Sequence, residues 1–109
     1  PQPSRAVQVL KDRANDQQRQ GDYAAATVSL ERALRIAPND AELWHQLADV
    51  RLDQRRYDLV AQLAAKSNSL AAPQDLALQR ANWSMIARAR ESLGDTAGAR
   101  EAQRRADSF

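Results

Sequence analysis

Apolar residues recur along most of this 109-residue chain at the three- and four-residue spacing that places side chains on one face of an α-helix. Two consecutive stretches show the spacing: Leu43, Trp44, Leu47, Ala48 and Val50, and then Leu59, Val60, Leu63 and Ala64. No segment shows the period-two alternation with β-branched residues that indicates a strand. The pattern therefore predicts an all-α chain.

Residues that begin and end helices divide this pattern into six predicted helices. Side chains that cap helix N-termini stand before four of them, at Ser4, Asp22, Asp40 and Asp95. Pro38 and Pro73 mark the ends of the second and fourth helices, because proline lacks an N–H and disrupts the preceding turn. The predicted helices cover residues 5–19, 23–37, 41–54, 57–69, 74–93 and 96–107.

Three similar segments at nearly regular intervals indicate an internal repeat: Gly21-Asp22-Tyr23, Arg55-Arg56-Tyr57 and Gly94-Asp95-Thr96. A period of about 34 residues is the length of a helix-turn-helix repeat, whose hairpins stack into a solenoid. The sequence thus predicts three hairpins, at about residues 7–40, 41–79 and 80–109. We expect the pair Arg55-Arg56 to close a helix, where cations complement the helix dipole.

The second repeat is five residues longer than the first, and the extra residues lie between Asn68 and Arg80. We expect them to extend the fifth helix by about one turn, through Leu76 and Leu78. The opening residues 1–4 are predicted to be the end of a linker, because Pro-Gln-Pro does not readily begin a helix. The folded domain is then residues 5–109.

Composition and charge exclude several classes of function. The chain has no cysteine, which excludes disulfides and thiolate zinc sites. Its net charge is only +2 and acidic residues interleave with basic ones, whereas a nucleic-acid binder gathers cations on one face. No apolar run approaches the roughly 18–20 residues that a membrane span requires. We therefore expect no nucleic-acid partner and no membrane insertion of this segment.

Candidate catalytic groups are few. His45 is the only histidine, so no histidine pair can bind a metal. Neither a nucleophile elbow nor a glycine-rich phosphate loop occurs. The sequence predicts a protein that is not an enzyme and that needs no cofactor.

The chain resembles the tetratricopeptide repeat (TPR) family in three registers. The matching positions of the first repeat are Gly21, Tyr23, Ala26, Leu30, Ala33 and Pro38; those of the second are Trp44, Leu47, Ala48, Tyr57, Ala64 and Pro73; those of the third are Trp83, Ile86, Ala87, Gly94, Ala99 and Ala106. Arg13 and Gln17 depart from the pattern, as expected where a polar terminal repeat faces solvent. The resemblance implies a right-handed solenoid of three TPR hairpins, with both tryptophans and both tyrosines packed in its core.

The resemblance also implies a concave, partner-binding groove that is lined by the first helix of each hairpin. The groove residues predicted on this basis are Lys11, Asn15, His45, Gln46, Asp49, Leu52, Ser84, Met85 and Arg88. Leu52 and Met85 are predicted to be exposed anchors for an apolar side chain of the partner. His45 has a carboxylate one turn away on each side, at Glu42 and Asp49, which favours a solvated ion pair.

Some TPR adaptors bind the C-terminal carboxylate of chaperones through a clamp of five residues. Lys11 and Asn15 match this clamp, and Gln46 replaces an asparagine. Ala81 and Met85 stand where the clamp needs Lys and Arg, so the charge-assisted hydrogen bonds of that class are not expected.

Within the TPR family, the short Arg-, Ala- and Gln-rich form without cysteine is similar to bacterial envelope domains, in particular the C-terminal domains of LpoP-type outer-membrane lipoproteins. That resemblance implies a periplasmic domain, tethered to the outer membrane through an upstream part, that binds and activates a class A penicillin-binding protein. Two alternatives stay open. One is an assembly factor or chaperone for an envelope complex such as a pilus or secretion system, and the other is a cytoplasmic RNA-associated repeat. The sequence leaves open whether the groove, the convex face or the terminal helix binds the partner, and it does not predict the oligomeric state.

Overall fold

A computed structural model describes residues 4–109, all of whose regular structure is helical. The six helices are α1 (Arg5–Arg19), α2 (Tyr23–Ile36), α3 (Ala41–Asp53), α4 (Tyr57–Leu70), α5 (Leu76–Ser92) and α6 (Thr96–Asp107). Five of the predicted starts coincide with these bounds, and α5 begins two residues later than predicted. Residues 1–3 of the predicted linker lie outside the described residues, and Ser4 caps α1.

Side-chain caps explain where most of the helices begin. The Ser4 hydroxyl oxygen accepts a hydrogen bond from the Val7 N–H at 3.2 Å, and Asp22, Asp40, Asp75 and Asp95 cap α2, α3, α5 and α6 in the same way. Each cap satisfies a backbone N–H group that has no partner within the helix. The caps predicted at Ser4, Asp22, Asp40 and Asp95 are therefore confirmed.

The turn between α3 and α4 is the exception. Arg56 occupies the N-cap position of α4 and makes no side-chain cap hydrogen bond. Arg55 has a φ of 59°, the left-handed conformation that Gly21 and Gly94 adopt in the other two hairpins. The prediction that this basic pair closes a helix is wrong, because α3 ends at Asp53 and Arg56 begins the next helix. A cation at a helix N-terminus opposes the helix dipole.

The helices form three antiparallel hairpins, α1–α2, α3–α4 and α5–α6, that stack through α2 on α3 and α4 on α5. Two groups of buried residues fill the interior. The first contains Val7, Leu10, Ala14, Ala26, Leu30, Ala33, Leu43, Leu47 and Val50, and the second contains Ala48, Val60, Ala64, Met85, Ile86, Ala87, Ala89 and Ala102. Leu63 packs against both groups, so the core is continuous along the solenoid. The predicted all-α solenoid of three hairpins is confirmed.

Three of the four aromatic residues at repeat positions contribute to this packing, and Trp44 belongs to neither core group. Tyr23 packs against the first core group, and Tyr57 and Trp83 pack against the second. Trp44 is half-buried, and its indole N–H donates to the carbonyl oxygen of Pro38 at 2.8 Å. That bond ties α3 to the loop that precedes it.

The insertion in the second repeat lengthens α5, as the sequence predicted. Trp44 and Trp83 occupy the same register position, so Arg80 corresponds to Ala41, the first residue of α3. α5 nevertheless begins at Leu76, about one turn earlier, where Asp75 caps it.

Candidate functional site

The groove was predicted on α1, α3 and α5, the first helices of the hairpins. Its best-defined part is a polar junction between α1 and α3. The Gln46 amide N–H donates to the side-chain oxygen of Asn15 at 3.0 Å and to the backbone carbonyl oxygen of Lys11 at 3.1 Å. The structure therefore brings together Asn15 and Gln46, two of the predicted groove residues.

A second contact at this junction involves a residue that the sequence did not single out. The Gln18 amide N–H group donates to Asp49 at 2.9 Å and to Asp53 at 2.8 Å. Together with Asn15 and Arg19, these residues line an open cleft of about 270 Å³. Gln18 lies about one turn beyond Asn15 on α1, and that spacing was the available signal.

Lys11 is not available in the groove. It is 6% exposed, and its Nζ lies 3.0 Å from a carboxylate oxygen of Asp40 and 3.7 Å from one of Glu42. The prediction of an accessible lysine here is wrong, because the loop before α3 brings the capping carboxylate of Asp40 against the Lys11 ammonium. This ion pair links the first hairpin to the second.

Met85 is not an exposed anchor either. It is 6% exposed and belongs to the second core group, so the prediction of an exposed methionine is wrong. The physical reason is that α5 contacts α3, α4 and α6, which bury a wider strip of α5 than one helical face. Leu52 is half-buried and packs against the same group.

His45 makes a contact different from the predicted one. Its Nδ1 lies 2.6 Å from the side-chain oxygen of Asn82, a residue of α5 that is fully buried. The predicted ion pair with Glu42 or Asp49 is absent among residues 4–109. Glu42 lies near Lys11 instead, and Asp49 accepts from Gln18.

Asn82 is the centre of a buried polar network between α3, α4 and α5. The Ser67 hydroxyl donates to the carbonyl oxygen of Ala41 at 2.7 Å, so its oxygen accepts from the Asn82 amide at 2.8 Å. The same amide donates to the side-chain oxygen of Asn68 at 2.9 Å. The Asn82 oxygen therefore faces His45 and accepts from the Nδ1–H of the imidazole, an assignment that the network fixes.

The other predicted groove residues lie on α5. Ser84 is half-buried, and Arg88 is exposed. Arg88 faces away from the α1–α3 junction, because it lines an open cleft of about 570 Å³ between α5 and α6. Glu91, Ser92, Arg100 and Gln103 line the same cleft, which carries charges of both signs. The nine predicted residues thus do not form one continuous site.

The predicted groove residues that solvent reaches are polar, and they lie in clefts suited to hydrogen bonds with a partner. Within residues 4–109, no group of three or more His, Cys, Asp or Glu side chains is arranged to hold a metal ion. None of the six helices has the length and hydropathy needed to cross a bilayer. Open clefts lined by amides, carboxylates and a guanidinium suit hydrogen bonds with another macromolecule.

Comparison with known proteins identifies the family. A family model described as a tetratricopeptide repeat matches residues 7–50. The globular C-terminal domain of P. aeruginosa LpoP is 40% identical in sequence, and the match covers 97% of this chain and 99% of that domain with a TM-score of 0.91. No curated protein matches the sequence.

A second solved structure supports the fold alone. The N-terminal domain of stress-induced protein-1 (STI-1) from C. elegans is 21% identical over 94% of this chain and 83% of that one, with a TM-score of 0.88. Solenoids of this kind present extended concave surfaces to other proteins, which indicates a role in protein–protein interaction. From the near-complete match at 40% identity, we conclude that the chain belongs to the tetratricopeptide repeat family and is a domain of the LpoP type.

Proposed function

We propose that this domain is a non-catalytic scaffold, without a cofactor, that binds and activates a class A penicillin-binding protein, the bifunctional peptidoglycan synthase of the periplasm. The observation that carries the proposal is the 40% identity to the LpoP C-terminal domain over 97% of the chain. The proposed location is periplasmic, with a tether to the outer membrane supplied by a part of the protein upstream of this domain.

Activation by binding needs a difference in affinity. A scaffold shifts its partner toward the active conformation only by the amount that it binds that conformation more tightly than the resting one. A tenfold shift corresponds to about 1.4 kcal/mol, which one or two well-placed polar contacts supply. The proposed mechanism therefore requires no chemistry from the domain itself.

We place the contact on the groove residues that solvent can reach. Asn15 is exposed, and Gln46 and Asp49 are half-buried beside it at the α1–α3 junction. Arg88 is exposed in the separate α5–α6 cleft, where it supplies a second polar contact for the partner. Lys11 and Met85 are excluded from this surface, because an ion pair and the core, respectively, bury them.

The test is glycan-chain polymerisation by the purified class A penicillin-binding protein of the same organism. The synthase is measured alone, with the wild-type domain, and with the double variant Asn15→Arg and Arg88→Glu. Because both positions are exposed, the variant keeps the fold, which circular dichroism checks. Arg104→Glu is the matched control, since Arg104 is exposed on α6 outside the α5–α6 cleft.

We expect stimulation by the wild type and by Arg104→Glu, and a loss of most of it in the double variant. Absence of stimulation by the wild type would contradict the synthase as partner. Stimulation that survives in the double variant would retain the synthase and remove its contact from both polar clefts.

A further inference from the structure

The outer face of the first hairpin is a stacking surface that no preceding hairpin covers within residues 4–109. Val9 of α1 corresponds in register to Leu43 of α3, one repeat later, and to Asn82 of α5, two repeats later. Leu43 and Asn82 are 0% exposed, whereas Val9 is 48% exposed. The same position is thus buried where a preceding hairpin stacks on it, and open to solvent in the first repeat.

This exposed position belongs to an apolar cleft between α1 and α2. Ala6, Val9 and Leu10 from α1 and Ile36 from α2 line a cleft of about 440 Å³. Ile36 is 53% exposed, so this cleft holds two large apolar side chains, Val9 and Ile36, that are open to solvent. An apolar floor surrounded by a polar rim is the arrangement found in protein–protein interfaces.

The rim of the cleft is positively charged. Arg5, Arg13 and Arg32 are exposed, and no carboxylate lines the cleft. None of the three arginines forms a salt bridge within the described part of the chain. Arg13 also stands where the other repeats bury Leu47 and Ile86, so a cation replaces a core residue here. Guanidinium groups in such a position suit bidentate pairing with carboxylates.

The opposite end of the solenoid differs. The cleft between α5 and α6 is lined by Glu91 as well as by Arg88 and Arg100, so it carries its own counter-charge. Of these two terminal clefts, the one at the α1–α2 end combines an apolar floor with cations alone. We call its seven residues the N-terminal stacking face: Arg5, Ala6, Val9, Leu10, Arg13, Arg32 and Ile36.

We propose that the N-terminal stacking face binds an amphipathic, acidic helix of a partner protein, which lies on α1 in the way that α2 lies on α3. The helix geometry follows from the repeat, because α3 and α5 each present this side to the second helix of the preceding hairpin. The acidic character follows from the three arginines. This inference goes beyond the proposed function, since it concerns a surface separate from the groove and does not depend on which protein is bound.

The probe is a hydrocarbon-stapled helical peptide derived from the chain itself. It carries residues 22–37, the α2 sequence, with the substitutions Arg32→Glu and Arg35→Glu, and a stapled peptide with the native arginines is its control. A staple is needed because isolated helices of this length are marginal in water. Binding to the intact domain is measured by fluorescence anisotropy at low and at physiological salt.

We expect the acidic peptide to bind the wild-type domain at least about tenfold more tightly than the native-sequence peptide, because one charge-assisted contact contributes about that much to binding. Binding weakens by about tenfold or more in the domain variants Arg13→Glu with Arg32→Glu, and Val9→Ser with Ile36→Ser. All four positions are exposed, so these variants fold. Arg104→Glu is the matched control and binds as the wild type does.

Equal affinity for the two peptides, or affinity unchanged in both double variants, would overturn the proposal. A parallel arm uses vesicles of phosphatidylglycerol. Vesicle binding that the same variants abolish, without binding of the acidic peptide, would assign the face to an anionic lipid surface and would also overturn the proposal. Neither result bears on synthase activation, which the polymerisation assay measures separately.

Discussion

Replacement of Asn82 by alanine tests whether the buried polar network holds the second and third hairpins together. The Asn82 side chain is fully buried and makes three hydrogen bonds, of 2.6 Å with His45, 2.8 Å with Ser67 and 2.9 Å with Asn68. A typical intramolecular hydrogen bond contributes about 0.5–1.5 kcal/mol net, so three contribute roughly 1.5–4.5 kcal/mol.

Two effects lower this cost and one raises it. Alanine favours the helix by a few tenths of a kcal/mol, and the Ser67 hydroxyl keeps its bond to the carbonyl oxygen of Ala41. The vacated volume leaves a small cavity, which acts in the other direction. We expect Asn82→Ala to lower the free energy of unfolding by about 2–4 kcal/mol, which for a domain of this size lowers Tm by roughly 10–20 °C.

The assay is urea and thermal unfolding followed by far-ultraviolet circular dichroism. Asn15→Ala is the matched control, because Asn15 is an exposed asparagine on α1 whose side chain has one hydrogen bond, from Gln46. The control is expected within about 0.5 kcal/mol of the wild type. A change below about 0.5 kcal/mol in Asn82→Ala as well would refute the reasoning that this network stabilises the fold.

Two further predictions concern the repeat pattern. The double variant Arg55→Gly and Arg56→Asp gives the second turn the Gly-Asp sequence of the other two turns. It should stabilise the domain by about 1 kcal/mol, because glycine adopts the left-handed conformation without strain and aspartate caps α4. Asp95→Ala removes such a cap and should cost about as much, and a Tm that does not rise in the double variant would contradict the cap argument. Ala48→Leu and Ala87→Leu should each cost about 1–3 kcal/mol in urea unfolding, because both alanines are buried where two helices approach closely; unchanged stability in both would show that the repeat register is misassigned.

The sequence by itself determined the local structure. Helix starts depend on capping residues such as Asp22 and Asp95, which act on N–H groups three residues away, so a reader of the sequence finds them without the fold. The repeat period likewise follows from the spacing of small and large residues, and it predicted the three hairpins and the longer α5. The caps and the repeat period can both be read from spacings along the chain.

Only the tertiary structure decided which of the groove residues are accessible to solvent. Periodicity predicts one buried face for each helix, but α5 contacts three helices, so Met85 joins the core. Lys11 and Asp40 meet because the second hairpin stacks on the first, and His45 and Asn82 meet although they belong to different hairpins. Such contacts depend on how hairpins pack rather than on spacing within a helix. For the same reason the exposure of Val9, a residue of ordinary helical pattern, follows from the absence of a hairpin before α1 in the described residues, a property of the assembled solenoid.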